Sequence, residues 1–160
     1  MRKEKAVIKS GIGLNDIRLG QTEEQVSSIL GRPNKIIRRL RGSYFYVYNE
    51  GGMDLDFQKK GGKVKIILFY REGSQGHKGA QVITDRDIEP GDSGSKVLSS
   101  YGNPDKRGGP LSLPNGRYSG EWFFYEEGIQ FELGSDRKVS VISVSPPTKG
   151  GPHTASRARQ

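Results

Sequence analysis

The sequence predicts an α+β fold made of two tandem units, each a short helix-loop-helix layer packed on a small antiparallel β-meander. Three observations predict it. A helix signature occurs twice at a spacing of 71 residues, a run of aromatic and alternating strands trails each copy, and a Gly-rich polar stretch separates the two.

The spacing comes first, because a fixed internal period is the mark of repeated architecture. Displacing the chain by 71 positions sets Ile17, Gly20, Val26, Gly31 and Pro33 on Ile88, Gly91, Val97, Gly102 and Pro104. The first copy starts a helix with Thr22-x-x-Gln25, a capping box that satisfies free amides. Val26, Ile29 and Leu30 follow as an apolar stripe at helical spacing. Gly31 suits the positive-φ position that ends a helix, and Pro33 prevents continuation. In the second copy Ser93 replaces Thr22 as cap. Lys96 stands in place of Gln25, so the box is lost there. Val97, Leu98 and Tyr101 form the stripe before Gly102 and Pro104.

Strands follow each helix. Tyr44 to Tyr48 is an aromatic, β-favouring run, Asn49 to Gly52 is a turn, and Met53 to Phe57 alternates. Met53, Leu55 and Phe57 therefore face a core. A second turn spans Lys59 to Lys63, and Val64 to Tyr70 closes the meander. The later copy reads the same way: Trp122 to Tyr125, Ile129 to Leu133, then Val139 to Val144. The expected division is a first unit at 11–70, a flexible polar linker at 71–80, a second unit at 81–145 and a disordered tail at 146–160.

Composition narrows the function classes. There is no cysteine, which excludes disulfides, thiolate metal sites and a cysteine nucleophile. No apolar run approaches the roughly 18 residues that a membrane-spanning helix needs. The basic start lacks the apolar core of a signal peptide. The expectation is a cytoplasmic protein, or an envelope or secreted one whose targeting segment has been removed. Net charge is +8, unevenly spread. Residues 1–79 hold 16 basic and 8 acidic residues, while 80–160 hold 10 of each. An anionic partner for the first half is one reading of that imbalance.

The string Ile17-x-x-Gly20-x-Thr22-x-x-x-Val26-x-x-x-x-Gly31-x-Pro33, followed by an aromatic strand and a meander, resembles the SmpA/OmlA (BamE-like) envelope lipoprotein domain. Two such units in order resemble the architecture of β-lactamase inhibitory protein. The resemblance covers about residues 11–145 and implies a binding module rather than an enzyme. It also implies contact through the concave face of the sheet. The chain departs from both relatives: it has neither the anchoring cysteine of the lipoproteins nor the disulfides of the inhibitor.

Other constellations reduce to structure. Gly91-Asp-Ser-Gly94 looks like a serine nucleophile, but Ser93 aligns with the cap Thr22. The two histidines, His77 in the linker and His153 in the tail, are not placed to act as its base. Asp54 and Asp56 share one strand face and read as a solvated or partner-facing surface. Asp85-x-Asp87-x-Glu89 has Pro90 where a calcium loop needs glycine. No catalytic residue, metal site or cofactor is expected.

Alternation puts Phe45 and Val47 on one face and Tyr44, Tyr46 and Tyr48 on the other, with Phe123 and Tyr125 on the tyrosine side in the second unit. The tyrosine side is either an open, displayed face or, if a bulge inverts the phase, core with the hydroxyls reaching solvent. Tyrosine is favoured at interfaces. Arg38, Arg39 and Arg41 precede that strand, and Lys59, Lys60 and Lys63 surround the next turn. The expected function is non-catalytic protein binding through exposed sheet faces, with these residues in contact. The alternative is binding of nucleic acid or another anionic surface by the basic first unit.

Overall fold

The two meanders end in strands with no polar face. Ile66, Ile67, Leu68, Phe69 and Tyr70 run without a charged residue, as do Val139 to Val144. Such strands need cover on both faces and pairing on both edges. A computed structural model, which describes residues 4–40, 42–59, 61–112 and 118–148, shows how they obtain it.

The elements in chain order are β1 (Ala6–Ile8), α1 (Glu23–Leu30), β2 (Lys35–Arg38), β3 (Tyr44–Tyr48), β4 (Met53–Phe57), β5 (Val64–Tyr70), a 3-10 turn (Ser74–Gly76), β6 (Val82–Thr84), α2 (Gly94–Tyr101), β7 (Lys106–Gly108), β8 (Leu111–Ser112), β9 (Tyr118–Ser119), β10 (Trp122–Tyr125), β11 (Ile129–Leu133) and β12 (Val139–Val144). Eight strands form one sheet in the order β2-β3-β4-β5-β12-β11-β10-β7. Every neighbour is antiparallel. The central pair is β5 with β12, in the register Val141↔Tyr70 to Val144↔Ile67. A short parallel pair, β1 with β6, lies apart from this sheet.

The expected fold class is therefore corrected. The molecule is sheet-dominated, with one continuous eight-stranded sheet and two helices of 8 residues each. It is not a tandem of helix-loop-helix units on separate meanders. The reason is edge pairing: each meander alone would leave the outer edge of its last, doubly apolar strand unpaired.

Local readings of the helix ends survive, but of the expected α1 stripe Ile29 is exposed. Thr22 and Gln25 form the reciprocal capping box, and Ser93 accepts from the Lys96 amide at 3.1 Å. Val26 and Val97 are completely buried. Gly31 and Gly102 follow the helices at φ 76, with ψ near the extended value rather than that of the left-handed helix. Each helix end is tied to the sheet by a tyrosine. Tyr48 Oη donates to the Gly31 carbonyl at 3.0 Å, and Tyr125 Oη to that of Gly102 at 2.8 Å.

The helix starts differ. Glu23, in the first turn of α1, accepts from Tyr44 at 2.5 Å and also from Tyr46. In α2 the corresponding position is Gly94, where an added Cβ would lie 2.7 Å from Leu133 Cδ1. The first helix is fastened by polar bonds and the second by close approach.

Residues 71–80, expected to be a flexible linker, fold back against the end of β5 and the β3–β4 turn. The Arg71 amide bonds Ser140, Lys78 bonds Asn49 and Ala80 bonds Tyr70, each at 2.9 Å. His77 and Ala80 are buried. Of the expected disordered tail, Thr148 donates to Glu126 at 2.9 Å, and residues 149–160 lie outside the described residues. Among the described residues no helix is long and apolar enough to cross a membrane.

Glu23→Ala should lower stability by about 1–2 kcal/mol in urea unfolding, since charge-assisted bonds to two half-buried phenols are lost. Tyr44→Phe together with Tyr46→Phe should add little once Glu23 is gone. Full additivity of the two effects would show that the tyrosines act independently of the helix.

Candidate functional site

The two faces of the sheet divide the aromatic residues, and the tyrosines of β3 take the helix side. Tyr44, Tyr46 and Tyr48 pair directly with Phe57, Leu55 and Met53. Residues directly opposite in an antiparallel pair share a face, so the tyrosines lie on the helix side with the apolar alternates of β4. Tyr46 and Tyr48 are buried, Phe123 and Tyr125 are buried, and Tyr44 is half-buried. Burial, followed by the Glu23 bond, pushes the Tyr44 hydroxyl up to about 12 and that of Tyr46 higher still. Tyr46, Tyr48, Phe123 and Tyr125 belong to the core, and Tyr44 packs against it. The signal was present in the chain: a turn of Asn49 to Gly52 sets Tyr48 across from Met53, and Met53 was already assigned inward.

The opposite face carries Phe45, Val47, Asp54, Asp56, Ile66, Leu68, Tyr70, Val141, Ser143 and Phe124, as the registers dictate. On it residues far apart in sequence converge. Asp54 Oδ2 accepts from Tyr70 Oη at 2.8 Å, and Asp54 Oδ1 accepts from His77 Nε2 at 2.8 Å. A carboxylate is acceptor-only, so Nε2 carries the proton. The His77 ring stacks on Tyr70, with centroids 4.1 Å apart and planes at 16°. Burial and the adjacent Asp54 charge raise the Tyr70 hydroxyl far above its ordinary value. The sequence reading placed His77 in solvent and Asp54 on an open surface. Both are buried and bonded to each other.

Asp56 lies two residues along the same face. It is 7% exposed, and its Oδ1 has no hydrogen-bond partner. Its neighbours across the ladder are Phe45 and Ile66. Burial raises its carboxyl to about 6, against the opposing charges of Arg39 and Lys65.

The basic residues gather at one end of the sheet. Arg38 lies over the Tyr44 ring at 5.9 Å and Arg39 over Phe45 at 4.2 Å. The Lys59 chain lies against Gly42, bringing the β4–β5 turn beside the β2–β3 turn. Arg38, Lys59 and Lys63 are exposed and Arg39 is half-buried. Arg41 and Lys60 lie outside the described residues. At this corner the sequence reading missed an aliphatic surface: Ile36 and Ile37 are each 43% exposed and Leu40 fully so. All four residues of β2 are exposed. Among the described residues no three acidic or histidine side chains converge as a metal-ligand set.

No family model matches the sequence, and no curated protein matches it. Solved structures share its fold. A DUF4309 family protein (YjgB) from Bacillus subtilis aligns with a TM-score of 0.57 at 14% identity, over 85% of this chain and 88% of that one. An extracellular protein containing a SCP domain from Bacillus anthracis gives 0.52 at 16%, over 100% of this chain and 58% of its own. A cysteine-rich secretory protein from Staphylococcus aureus gives 0.53 at 13%, over 89% of this chain and 47% of its own. The chain spans about half the length of the last two. These likenesses establish the fold and correct the expected family. The chain is similar to these sheet-rich proteins and not to tandem SmpA/OmlA or inhibitor-type units. The shared string of caps and turns describes helix ends, which recur across folds.

Asp56 gives a pH-dependent prediction. A carboxyl raised from 3.8 unfolded to about 6 folded contributes stability below pH 3.8, and that stability is lost as pH rises through 6. Asp56→Asn should therefore unfold at higher urea than the wild type at pH 7–8, by about 1–3 kcal/mol. The difference should shrink or reverse near pH 4. A difference that is constant with pH would show that Asp56 is not titrating in the folded protein.

Proposed function

We propose that this protein is a non-catalytic protein-binding module whose contact surface is the β2 corner of the sheet. The observation that carries the reading is the run of exposed aliphatic residues there. Ile36, Ile37 and Leu40 lie within five positions and are flanked by Lys35, Arg38 and Arg39. Ile36 shares the helix-side face with Tyr46 and Ile37 the opposite face with Phe45, so this one strand exposes an aliphatic side chain on each side between charged residues. Exposed aliphatics gathered inside a charged rim are typical of an interaction site. The Asp54–His77 pair does not compete with this reading as a catalytic centre. Both groups are buried, and the carboxylate oxygens are used by Tyr70 and His77.

A second reading is binding of a polyanion at the same corner. Its support is the clustering of Arg38, Lys59 and Lys63 where two turns meet. Against it, the aromatic rings that would stack on bases are taken. Tyr46 and Tyr48 are core, and the Phe45 ring carries the Arg39 guanidinium.

The test uses the immobilised full chain and an extract of the native cells. A protein partner should be retained by the wild type and by Val7→Asp, an exposed aliphatic outside the corner. Ile37→Glu and Leu40→Asp should each weaken retention roughly thirtyfold, the effect of a contact worth about 2 kcal/mol. Equal retention by the corner variants would place the contact elsewhere. Retention of nucleic acid instead, falling steeply with salt, would favour the polyanion.

A further inference from the structure

We infer that the partner meets this corner as an added β-strand, an extended segment with two aliphatic residues flanked by acidic ones, pairing along the open edge of β2. The inference rests on the reading of the corner as a protein-binding surface and specifies how that surface is used.

The topology supplies the edge. Among the described residues β2 is the terminal strand of the eight-stranded sheet, paired on one side, with β3. The Arg39 amide bonds inward to Ser43. Antiparallel pairing uses alternate residues, so Ile37 and Lys35 also point their backbone groups inward. The amides and carbonyls of Ile36 and Arg38 then face outward, ready to receive another strand.

The two ends of the sheet differ. The opposite edge strand, β7, is Lys106–Gly108, with no aliphatic residue and with Pro110 soon after. That edge is short and poorly suited to pairing, as natural edges usually are. β2 keeps two central isoleucines in the open, with a charge only at either end.

The side chains define what fits. In sequence order β2 presents Lys35, Ile36, Ile37 and Arg38. An added strand places one residue opposite each, and opposite charges across the ladder stabilise while like charges destabilise. The complement is acidic, aliphatic, aliphatic, acidic, and it reads the same in either strand direction. A second copy of this chain does not fit. Antiparallel self-pairing matches outward residues with outward ones, Ile36 with Arg38 and Ile37 with itself, and so sets Lys35 against Arg39.

The probe is a capped ten-residue peptide with a central Glu-Val-Val-Glu, titrated into the full chain and followed by backbone amide shifts and exchange. It should perturb and protect the Ile36 and Arg38 amides. It should bind roughly tenfold more tightly than a peptide of identical composition with a central Val-Glu-Glu-Val, which puts charge opposite the isoleucines. N-methylation of the two central valines should abolish binding. Equal affinity for the two sequences, survival of binding after N-methylation, or no binding of either peptide at millimolar concentration would overturn the inference. Displacement of the peptide by oligothymidylate with no change at the Ile36 amide would overturn it in favour of the polyanion. The failures are separable: if Ile37→Glu and Leu40→Asp abolish partner retention while N-methylation has no effect, the corner stands and strand addition falls.

Discussion

The pairing of β5 with β12 is the constraint on which the rest of the structure depends. Each strand carries apolar residues on both faces, so neither can sit at an edge with one face in water. An unpaired ladder edge is costly when buried and prone to pairing when exposed. Joining the two strands removes both problems at once. It turns two short meanders into one sheet, and it places the strands with the most aliphatic character at the centre. The charged, short strands β2 and β7 are left at the rims.

That junction dictates what the intervening chain must do. β5 ends beside β12, and the chain then has to reach β6 and α2 without crossing the sheet. Residues 71–80 do so by turning back against the end of β5 and the β3–β4 turn, and a polar cluster holds them there. Tyr70, Asp54 and His77 come from β5, β4 and the crossing segment, and the bonds among them leave no carboxylate oxygen of Asp54 unused. A buried histidine in a Gly-rich polar stretch is therefore a structural pin. Its burial has nothing to do with local composition and everything to do with where β5 ends.

The helices and strands were legible because their signals are local. A capping hydroxyl, a stripe at helical spacing, a terminating glycine and a proline all act within ten residues, and each occupies its expected place around α1 and α2. The six meander strands were legible for the same reason, but β1, β2, β6, β7, β8 and β9 were not read as strands. What misled was the treatment of each meander as complete. A doubly apolar closing strand is a sign that more sheet lies beyond it, and both copies carry that sign. The phase of the aromatic strand was also recoverable, since the turn of Asn49 to Gly52 ties Tyr48 to Met53. Tyrosine at the surface is a statistical expectation. Here the hydroxyls of Tyr44, Tyr46, Tyr48 and Tyr125 reach bonds at the helix ends, which allows the rings into the core.

By itself, the sequence determined where α1 and α2 start and stop, which six runs form the two meanders, and which turns connect them, because those depend on neighbours a few residues away. It also determined the chemistry that cysteine would have supplied and that this chain lacks. Tertiary structure alone decided that the strands share one sheet, that His77 is buried against Asp54, and that the open aliphatic edge is β2. Each of these depends on a pairing between residues tens of positions apart. Such a pairing is set by the competition among all available strand edges, and no local pattern contains the outcome.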